Sequence, residues 1–493
     1  MLYNAAQVQA DFPVADSLET DWQQVRDRFR AIWGYDDFRP PQGEIVRCLL
    51  AGHDALVVLP TGGGKSICFQ LPALLQAGLY LVVSPLVALM ENQVAELQHR
   101  RLPAALLHSE LSPSQRRRTL QALEQNRLRL LYLSPETLLS PPVWQRLQAA
   151  PVRGLILDEA HCLVQWGETF RPAYRRLGAV RSALGQRLAI AAFTATADPQ
   201  AQATITQVLG LRRPRRFASS PYRPNLSLRV QTVWTPRGRR QRLLQFIRTQ
   251  EAQAGLVYTR SRRDTEDLAA WLSRQGYSTA AYHAGLLPGD RRQVEQAWLG
   301  GTLQFVVATN AFGMGVNKPD CRWVAHFQAP TLLAEYVQEV GRGGRDGQPA
   351  QALTLVSERT GWLNPEDQQR QRFFQQQTQQ QYDQAARILS QLPATGEVGA
   401  IAKQFPGGAI ALSLLHSAGL LTWRDPFHFQ RLEGGSSRQA LRKLQAAQAE
   451  GYTATQRYWS TRQCRWQVLL TAFGFTREAQ GFRCGHCDNC QRS

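Results

Sequence analysis

Three glycines followed by a lysine and a serine, Leu59-Pro60-Thr61-Gly62-Gly63-Gly64-Lys65-Ser66, are the densest piece of chemistry in this chain. The run follows a strand-like apolar stretch and opens a helical pattern. Glycines let backbone N–H groups approach phosphate oxygens, a lysine reaches the β- and γ-phosphates, and a serine hydroxyl can ligate Mg²⁺. The first position of the general pattern is Leu59 here, not glycine. Lysine occurs otherwise only at Lys318, Lys403 and Lys443. A compact ammonium kept in a chain whose positive charge is nearly all arginine is informative.

Asp158 and Glu159 end the apolar run Leu155-Ile156-Leu157. Ligands of open α/β sheets sit at that edge of a strand. Asp158 is expected to hold Mg²⁺ through water, and Glu159 to orient and deprotonate an attacking water. Gln338–Asp346 (QEVGRGGRD) carries Arg342 and Arg345 in a glycine-rich turn, suited to gripping a γ-phosphate across a cleft. Cys464, Cys484, Cys487 and Cys490 form C-x19-C-x2-C-x2-C. Four such thiols can surround one tetrahedral Zn²⁺, with an iron–sulfur cluster as the competing reading and His486 as a spacer. Cys48, Cys68, Cys162 and Cys321 are expected as buried thiols.

The elements that must position these groups are short runs, apolar on both faces, alternating with helical patterns. The candidate strands are Ala55–Leu59, Leu79–Val83, Arg129–Leu133, Gly154–Leu157 and Ala189–Thr194. After the arginine-rich stretch Arg212–Arg242 come Gly255–Thr259, Thr279–His283, Gln304–Thr309 and Arg322–Phe327. This is the pattern of two α/β domains, each a parallel sheet with helical crossovers. Glu366 opens a polar, glutamine-rich stretch read as an exposed helix or linker. Beyond it, helices at Tyr382–Leu392 and Ile410–Leu421 and a hairpin at Leu421–Leu432 fit a winged helix or another small helical insertion. The expected domains are an arm (1–24), a first α/β domain (25–218), a second (219–362), the helical insertion (363–451) and a metal-binding module (452–493).

The chain has 493 residues, room for about three domains at roughly 150 residues each. Apolar residues make up 43%, which excludes wholesale disorder. No apolar run is long enough to span a membrane, and the first residues lack the basic start and apolar stretch of a secretory leader. A cytoplasmic protein is expected, and its cysteine cluster therefore reads as a metal site. The formal charge is +19, with a sequence pI near 10.1. A polyanionic partner follows, either nucleic acid or an anionic membrane surface, unless the arginines are only compositional bias.

Taken together these segments resemble the RecQ DNA helicases of superfamily 2. The resemblance is dense from Tyr35 to about Gln348. It includes Gly34–Gln42 (GYDDFRPPQ), Val82–Leu86 (VVSPL), Asp158–His161 (DEAH), Thr194–Thr196 (TAT), Tyr282–Gly285 (YHAG), Ala311–Gly315 (AFGMG), Asn317–Pro319 (NKP) and the Gln338–Gly347 turn. It implies two RecA-like domains acting as an ATP-dependent 3′→5′ DNA helicase in recombination and repair. Gln42 is implied to read adenine, with Tyr35 and Arg39 around the base and Thr61, Gly62, Gly63, Gly64, Lys65 and Ser66 on the phosphates. Cys162–Tyr174 (CLVQWGETFRPAY) looks like the family's aromatic-rich loop, which couples single-strand binding to hydrolysis. Trp166 and Phe170 offer stacking faces and Arg171 a cation. His161, Thr194, Thr196 and His283 are implied in DNA binding or coupling. Glu168-Thr169 stands where His-Asp is frequent, and Gly343 where alanine is usual.

The cysteine order resembles the family's zinc subdomain. The implied cofactors are ATP, Mg²⁺ and Zn²⁺. The implied partner is DNA, single-stranded, tailed, forked or in junctions, and no membrane. A single-strand-binding protein is a compatible further partner that the residues do not indicate. In most bacterial relatives a winged helix, and often a helicase-and-RNaseD C-terminal domain, follows the zinc module. Here three residues follow Cys490, whereas extra residues separate the second α/β block from Cys464. The expectation is a relocated winged helix whose hairpin, with Trp423, Phe427 and Phe429, splits the strands. The alternative is a DNA-stimulated ATPase, translocase or annealing factor that does not unwind duplexes.

Overall fold

A computed structural model describes residues 22–60, 62–164, 171–185, 188–313, 316–358, 360–432 and 437–491. Thr61, Trp166 and Phe170 lie outside the described residues. The first domain is built on seven parallel strands: β1 (Ala55–Val58), β2 (Leu79–Val83), β3 (Ala104–Leu107), β4 (Leu130–Leu133), β5 (Val152–Leu157), β6 (Ala189–Thr194) and β7 (Arg215–Ala218). Their order is β3-β4-β2-β5-β6-β1-β7. Successive residues point to opposite faces, and both faces are covered. Leu56 and Val58 enter one core, Ala55 and Val57 the other. That is why these strands read as unbroken apolar runs. The helices that matter for the site are α1 (Trp22–Trp33), α2 (Gln42–Leu50), α3 (Lys65–Leu75) and α4 (Val87–His99).

The second domain repeats the plan with β8 (Leu226–Val233), β9 (Gly255–Tyr258), β10 (Thr279–Tyr282), β11 (Phe305–Ala308), β12 (Trp323–His326) and β13 (Ala350–Ser357). Their order is β10-β11-β9-β12-β13-β8, again parallel. The arginine-rich stretch holds β7 and β8, which compositional reading passed over. On β8, buried Leu226, Leu228 and Val230 alternate with half-buried Ser227, Arg229 and Gln231. Arg239 in that stretch has no exposed surface and bonds Phe327 O (2.6 Å), Ser357 Oγ (2.7 Å) and Asp367 Oδ2 (2.8 Å). Part of the basic charge is therefore internal scaffolding.

The glutamine-rich stretch is a single helix, Glu366–Gln391. A second long helix, Ser437–Ser460, returns beside it and runs straight through residue 451. Between these arms sit a three-stranded antiparallel sheet and two helices, in the order β14 (Thr395–Glu397), helix Val398–Gln404, helix Gly408–Ser417, β15 (Leu421–Trp423) and β16 (His428–Arg431). The hairpin turn is set by Asp425 Oδ1, which accepts from Phe427 N (2.7 Å) and His428 N (2.9 Å). Its aromatic residues are not displayed as a wedge. Phe429 is fully buried in the insertion's core, Phe427 packs edge-on to Trp144 of the first domain (5.4 Å), and Trp423 stacks on His416 (5.1 Å). Of the three rings expected to split strands, Phe427 docks on the first domain, and Phe429 and Trp423 pack within the insertion.

One buried ion pair ties the first domain together. Asp54 accepts from Arg181 Nη2 on both oxygens (2.7 and 2.6 Å), from Ile190 N (2.9 Å) and from Arg212 N (2.6 Å). Asp54→Ala leaves the Arg181 guanidinium buried without its counter-ion. A loss of about 3–5 kcal/mol is expected in urea unfolding; a change within ~0.5 kcal/mol would contradict this assignment.

Candidate nucleotide site and zinc module

The phosphate loop leaves the C-terminal end of β1, which lies between β6 and β7. Gly64 caps α3 in the left-handed conformation (φ 70°), and a Cβ there would collide with the Gln42 amide. Only glycine fits. Gln42 accepts from Arg39 N (2.9 Å) and donates to Gly63 O (3.1 Å) and Gly64 O (3.3 Å), so it joins the Tyr35–Gln42 segment to the loop. Tyr35 is half exposed beside Phe29, and Arg39 is exposed. Lys65 Nζ donates to Leu59 O (3.3 Å). Ser66 Oγ accepts from Gln93 Nε2 (3.1 Å).

Asp158 follows β5, its N–H bonded to Val83 O (2.9 Å). Glu159 adopts φ 52°, ψ 47°, a left-handed conformation rare for a residue with a side chain and typical of functional strain. Burial, then the neighbouring Glu159 charge, holds Asp158 above the ordinary carboxylate range. Burial also works to raise Glu159, but the His161 imidazole and the Lys65 and Arg342 charges outweigh it and hold Glu159 low. A buried carboxylate at Asp158 with a half-buried one beside it at Glu159 fits a divalent cation, whose charge would offset their repulsion. His161 Nδ1 stands 3.2 Å from Glu159 Oε2 and 3.1 Å from Thr194 Oγ1. Thr194 Oγ1 in turn donates to Thr196 O (3.2 Å) and accepts from Thr196 N (3.3 Å). His161, Thr194 and Thr196 are thus linked, and the link comes within 3.2 Å of the Glu159 carboxylate.

The second domain brings its arginines to the same place. A Cβ on Gly62 would lie 3.9 Å from Cγ and Cδ of Arg345, so that side chain rests over the phosphate loop. Arg345 bonds Asn317 Oδ1 (2.9 Å) and Val316 O (3.2 Å), and Arg342 donates to Gly313 O. Both follow the helix Leu333–Val340.

The four cysteine sulfurs Cys464, Cys484, Cys487 and Cys490 lie within 4.8 Å of one another. Cys484 and Cys490 are 3.9 Å apart, near the ~3.8 Å that tetrahedral Zn–S bonds of 2.3 Å impose. The donor set fits zinc. Arg465 and Asp488, next to two of the cysteines, form a buried pair (2.8 and 3.0 Å), and Asp488 Oδ2 also accepts from Val230 N (3.0 Å). His486 stays a spacer, its carbonyl accepting from Ser227 Oγ (2.6 Å). Trp466 Nε1 donates to Leu226 O (3.1 Å), so the module is part of the second domain's core.

Three family models match along the chain: DEAD/DEAH box helicase over residues 39–204, helicase conserved C-terminal domain over 238–347, and RecQ zinc-binding over 428–491. The chain is 52% identical over 476 residues to a Synechocystis protein named ATP-dependent DNA helicase RecQ, covering 95% of this chain and 98% of that one. The chain belongs to the RecQ family. A Haemophilus influenzae RecQ is 40% identical over 66% of this chain and 52% of its own length. Among solved structures, yeast Dbp5 bound to RNA and ADP BeF3 superposes with a TM-score of 0.56 at 14% identity (70% of this chain, 90% of that one). Mycobacterium smegmatis Lhr does so at 0.56 and 20% (85% and 61%). These two likenesses show the paired RecA-like fold.

The other residues expected from the RecQ resemblance are dispersed. Arg171 precedes the helix Pro172–Arg175 and donates to Glu136 Oε2 (3.3 Å). His283 is buried at the end of β10, held by Glu266 (2.8 Å) and Gly285 N (3.2 Å), apart from the phosphate loop. Sequence reading missed two supports of the RecQ nucleotide site. Gln93 on α4 holds the Ser66 hydroxyl. Arg223 and Asn225 from the interdomain linker bond Gly344 O (2.5 and 2.8 Å) and so brace the arginine turn. One arginine among so many carries no signal until its carbonyl partner is seen. No described helix is long and apolar enough to cross a membrane.

Proposed function

We propose that this RecQ-family chain is an ATP-dependent DNA helicase with 3′→5′ polarity, acting in recombination and repair. The observation that carries the reading is the convergence of two domains on one phosphate loop, with Lys65, Asp158 and Glu159 on one side and Arg342 and Arg345 on the other. Lys65 and the Gly62–Gly64 amides bind phosphate oxygens, and Gln42 reads the adenine edge. Ser66 and Asp158 would hold Mg²⁺, which neutralises phosphate charge when bound. Glu159 orients and deprotonates water, and the arginines stabilise charge on the transferring phosphoryl. Strand binding reaches Glu159 through Thr196, Thr194 and His161. Such a motor works in the cytoplasm, on the nucleoid if its source is bacterial.

Between the arms run a strand, two helices and a hairpin, an order that supports a winged helix, and we assign the insertion as one. We divide the chain at the expected boundaries near 218 and 362, and treat both arms as the insertion's stalk. The packed hairpin supports a second reading, a translocase that hydrolyses ATP on DNA without separating strands. A short duplex with a 3′ or a 5′ single-stranded tail distinguishes them. Displacement from the 3′-tailed substrate only, abolished by Lys65→Ala, is the expected result. DNA-stimulated hydrolysis without displacement would establish the translocase.

A further inference from the structure

The arms and the winged helix at their tip join the two motor domains by a route the nucleotide chemistry does not use. The arms are rooted in the second domain. Asp367, at the start of the first arm, receives Arg239 (2.8 Å) and Ser357 N (2.7 Å). Tyr458 and Trp459, near the end of the second arm, pack on Tyr336 at 5.2 and 5.1 Å. The first arm has 26 residues, and at 1.5 Å per residue it extends roughly 39 Å. Its far end is part of the core that holds Leu412, Leu415 and Phe429.

That tip lands on the first domain. Arg176 Nη1 donates to Pro426 O (3.0 Å), and the Phe427 ring meets the Trp144 ring edge-on at 5.4 Å. Arg175, 1% exposed, is enclosed near Tyr382 of the arm and His416 of the helix Gly408–Ser417. Every residue of that helix is buried or half-buried, so a docked tip cannot lay it against a duplex. The roots are a buried charged hydrogen-bond cluster and a shared aromatic core. The landing is held by a bond to a neutral carbonyl, a ring edge and the enclosed Arg175. The roots carry the Arg239–Asp367 ion pair as well as ring packing, and a stiff strut between two bodies that move yields at the other end.

We propose that the winged-helix insertion is a releasable clamp across the motor domains. Docked, it holds them in the arrangement seen here and keeps ATP turnover low without DNA. Released, it lets the domains cycle and frees the helix Gly408–Ser417. DNA that engages only the released tip shifts the balance toward release. This inference rests on the reading of the chain as a DNA-stimulated ATPase.

The test uses the full zinc-loaded chain carrying Phe427→Ala and Arg176→Ala. Each lost contact shifts the docking equilibrium by about fivefold, and the pair by about 25-fold. Amide exchange of residues 408–417 should accelerate while that of β5 stays slow. DNA-free ATP turnover should rise about fivefold or more, with the DNA-saturated rate unchanged. Faster exchange with wild-type DNA-free turnover overturns the clamp, as does unchanged exchange in the double variant. Fast exchange in β5 would mean general unfolding; Arg176→Ala alone, which trims one half-buried side chain, then decides by the same two readouts. A wild-type chain whose turnover ignores DNA would instead defeat the underlying ATPase reading.

Discussion

Arg345→Ala should lower ATP turnover by about 10³–10⁵-fold and leave nucleotide binding nearly intact. The side chain lies over Gly62 and is fixed by Asn317 and Val316, so it belongs to the second domain yet faces the first domain's phosphate loop. Burial and the neighbouring Arg342 charge push its guanidinium down to about 10. A cation held against such repulsion gains most where negative charge grows, which is the transferring phosphoryl. Ground-state binding draws on the loop amides and Lys65, which the substitution does not touch. Steady-state turnover and titration with a fluorescent ATP analogue check the two halves. A tenfold loss in binding with little loss in turnover would make Arg345 a binding residue. Glu159→Gln combined with Arg345→Ala should fall little further than the worse single variant, because both act on one step.

Removing zinc should unfold the cysteine module and weaken the second motor domain with it. A structural zinc contributes on the order of 10–16 kcal/mol in zinc-finger peptides, as much as a whole domain's net stability of about 5–15 kcal/mol. Cys464 and Cys487 are buried, and the residues after them form the Arg465–Asp488 pair. Arg465 also bonds Tyr458 O (2.7 Å), and Tyr458 packs on Tyr336 in the helix that leads to the arginine turn. Loss of the metal therefore releases Trp466 from Leu226 and loosens the helix Leu333–Val340. Cys487→Ser, or a strong chelator, should release about one zinc per chain by chromogenic assay. Melting should begin at least ~5 °C lower in the second domain. An unchanged melting curve after stoichiometric zinc release would show that the module is not part of that core.

The nucleotide chemistry was legible because each piece is local. Leu59–Ser66 combines residue types that point to phosphate on their own, and Asp158-Glu159 and Arg342–Arg345 gain meaning from standing in the same chain with it. The strands that were legible, such as Leu79–Val83 and Ala189–Thr194, are buried on both faces and so lack polar interruption. β8 was not, because its outer face is polar and it sits among arginines whose partners are far away in sequence. The hairpin Leu421–Leu432 was readable as a hairpin. Its use was not, since aromatic rings look alike whether they split a duplex, fill a core as Phe429 does or dock on Trp144 as Phe427 does.

The sequence by itself determined the phosphate loop, the carboxylate pair, the arginine turn, the four thiols and the two-block α/β plan. Those depend on glycine freedom, charge and spacing within one segment. Tertiary structure alone decided that Gln93 holds Ser66, that Arg223 braces Gly344, that the cysteines share a core with β8, and that the insertion lands on Arg176 and Trp144. Each of these joins residues distant in the chain, and a side chain's choice among distant partners is made by packing, which no local pattern records.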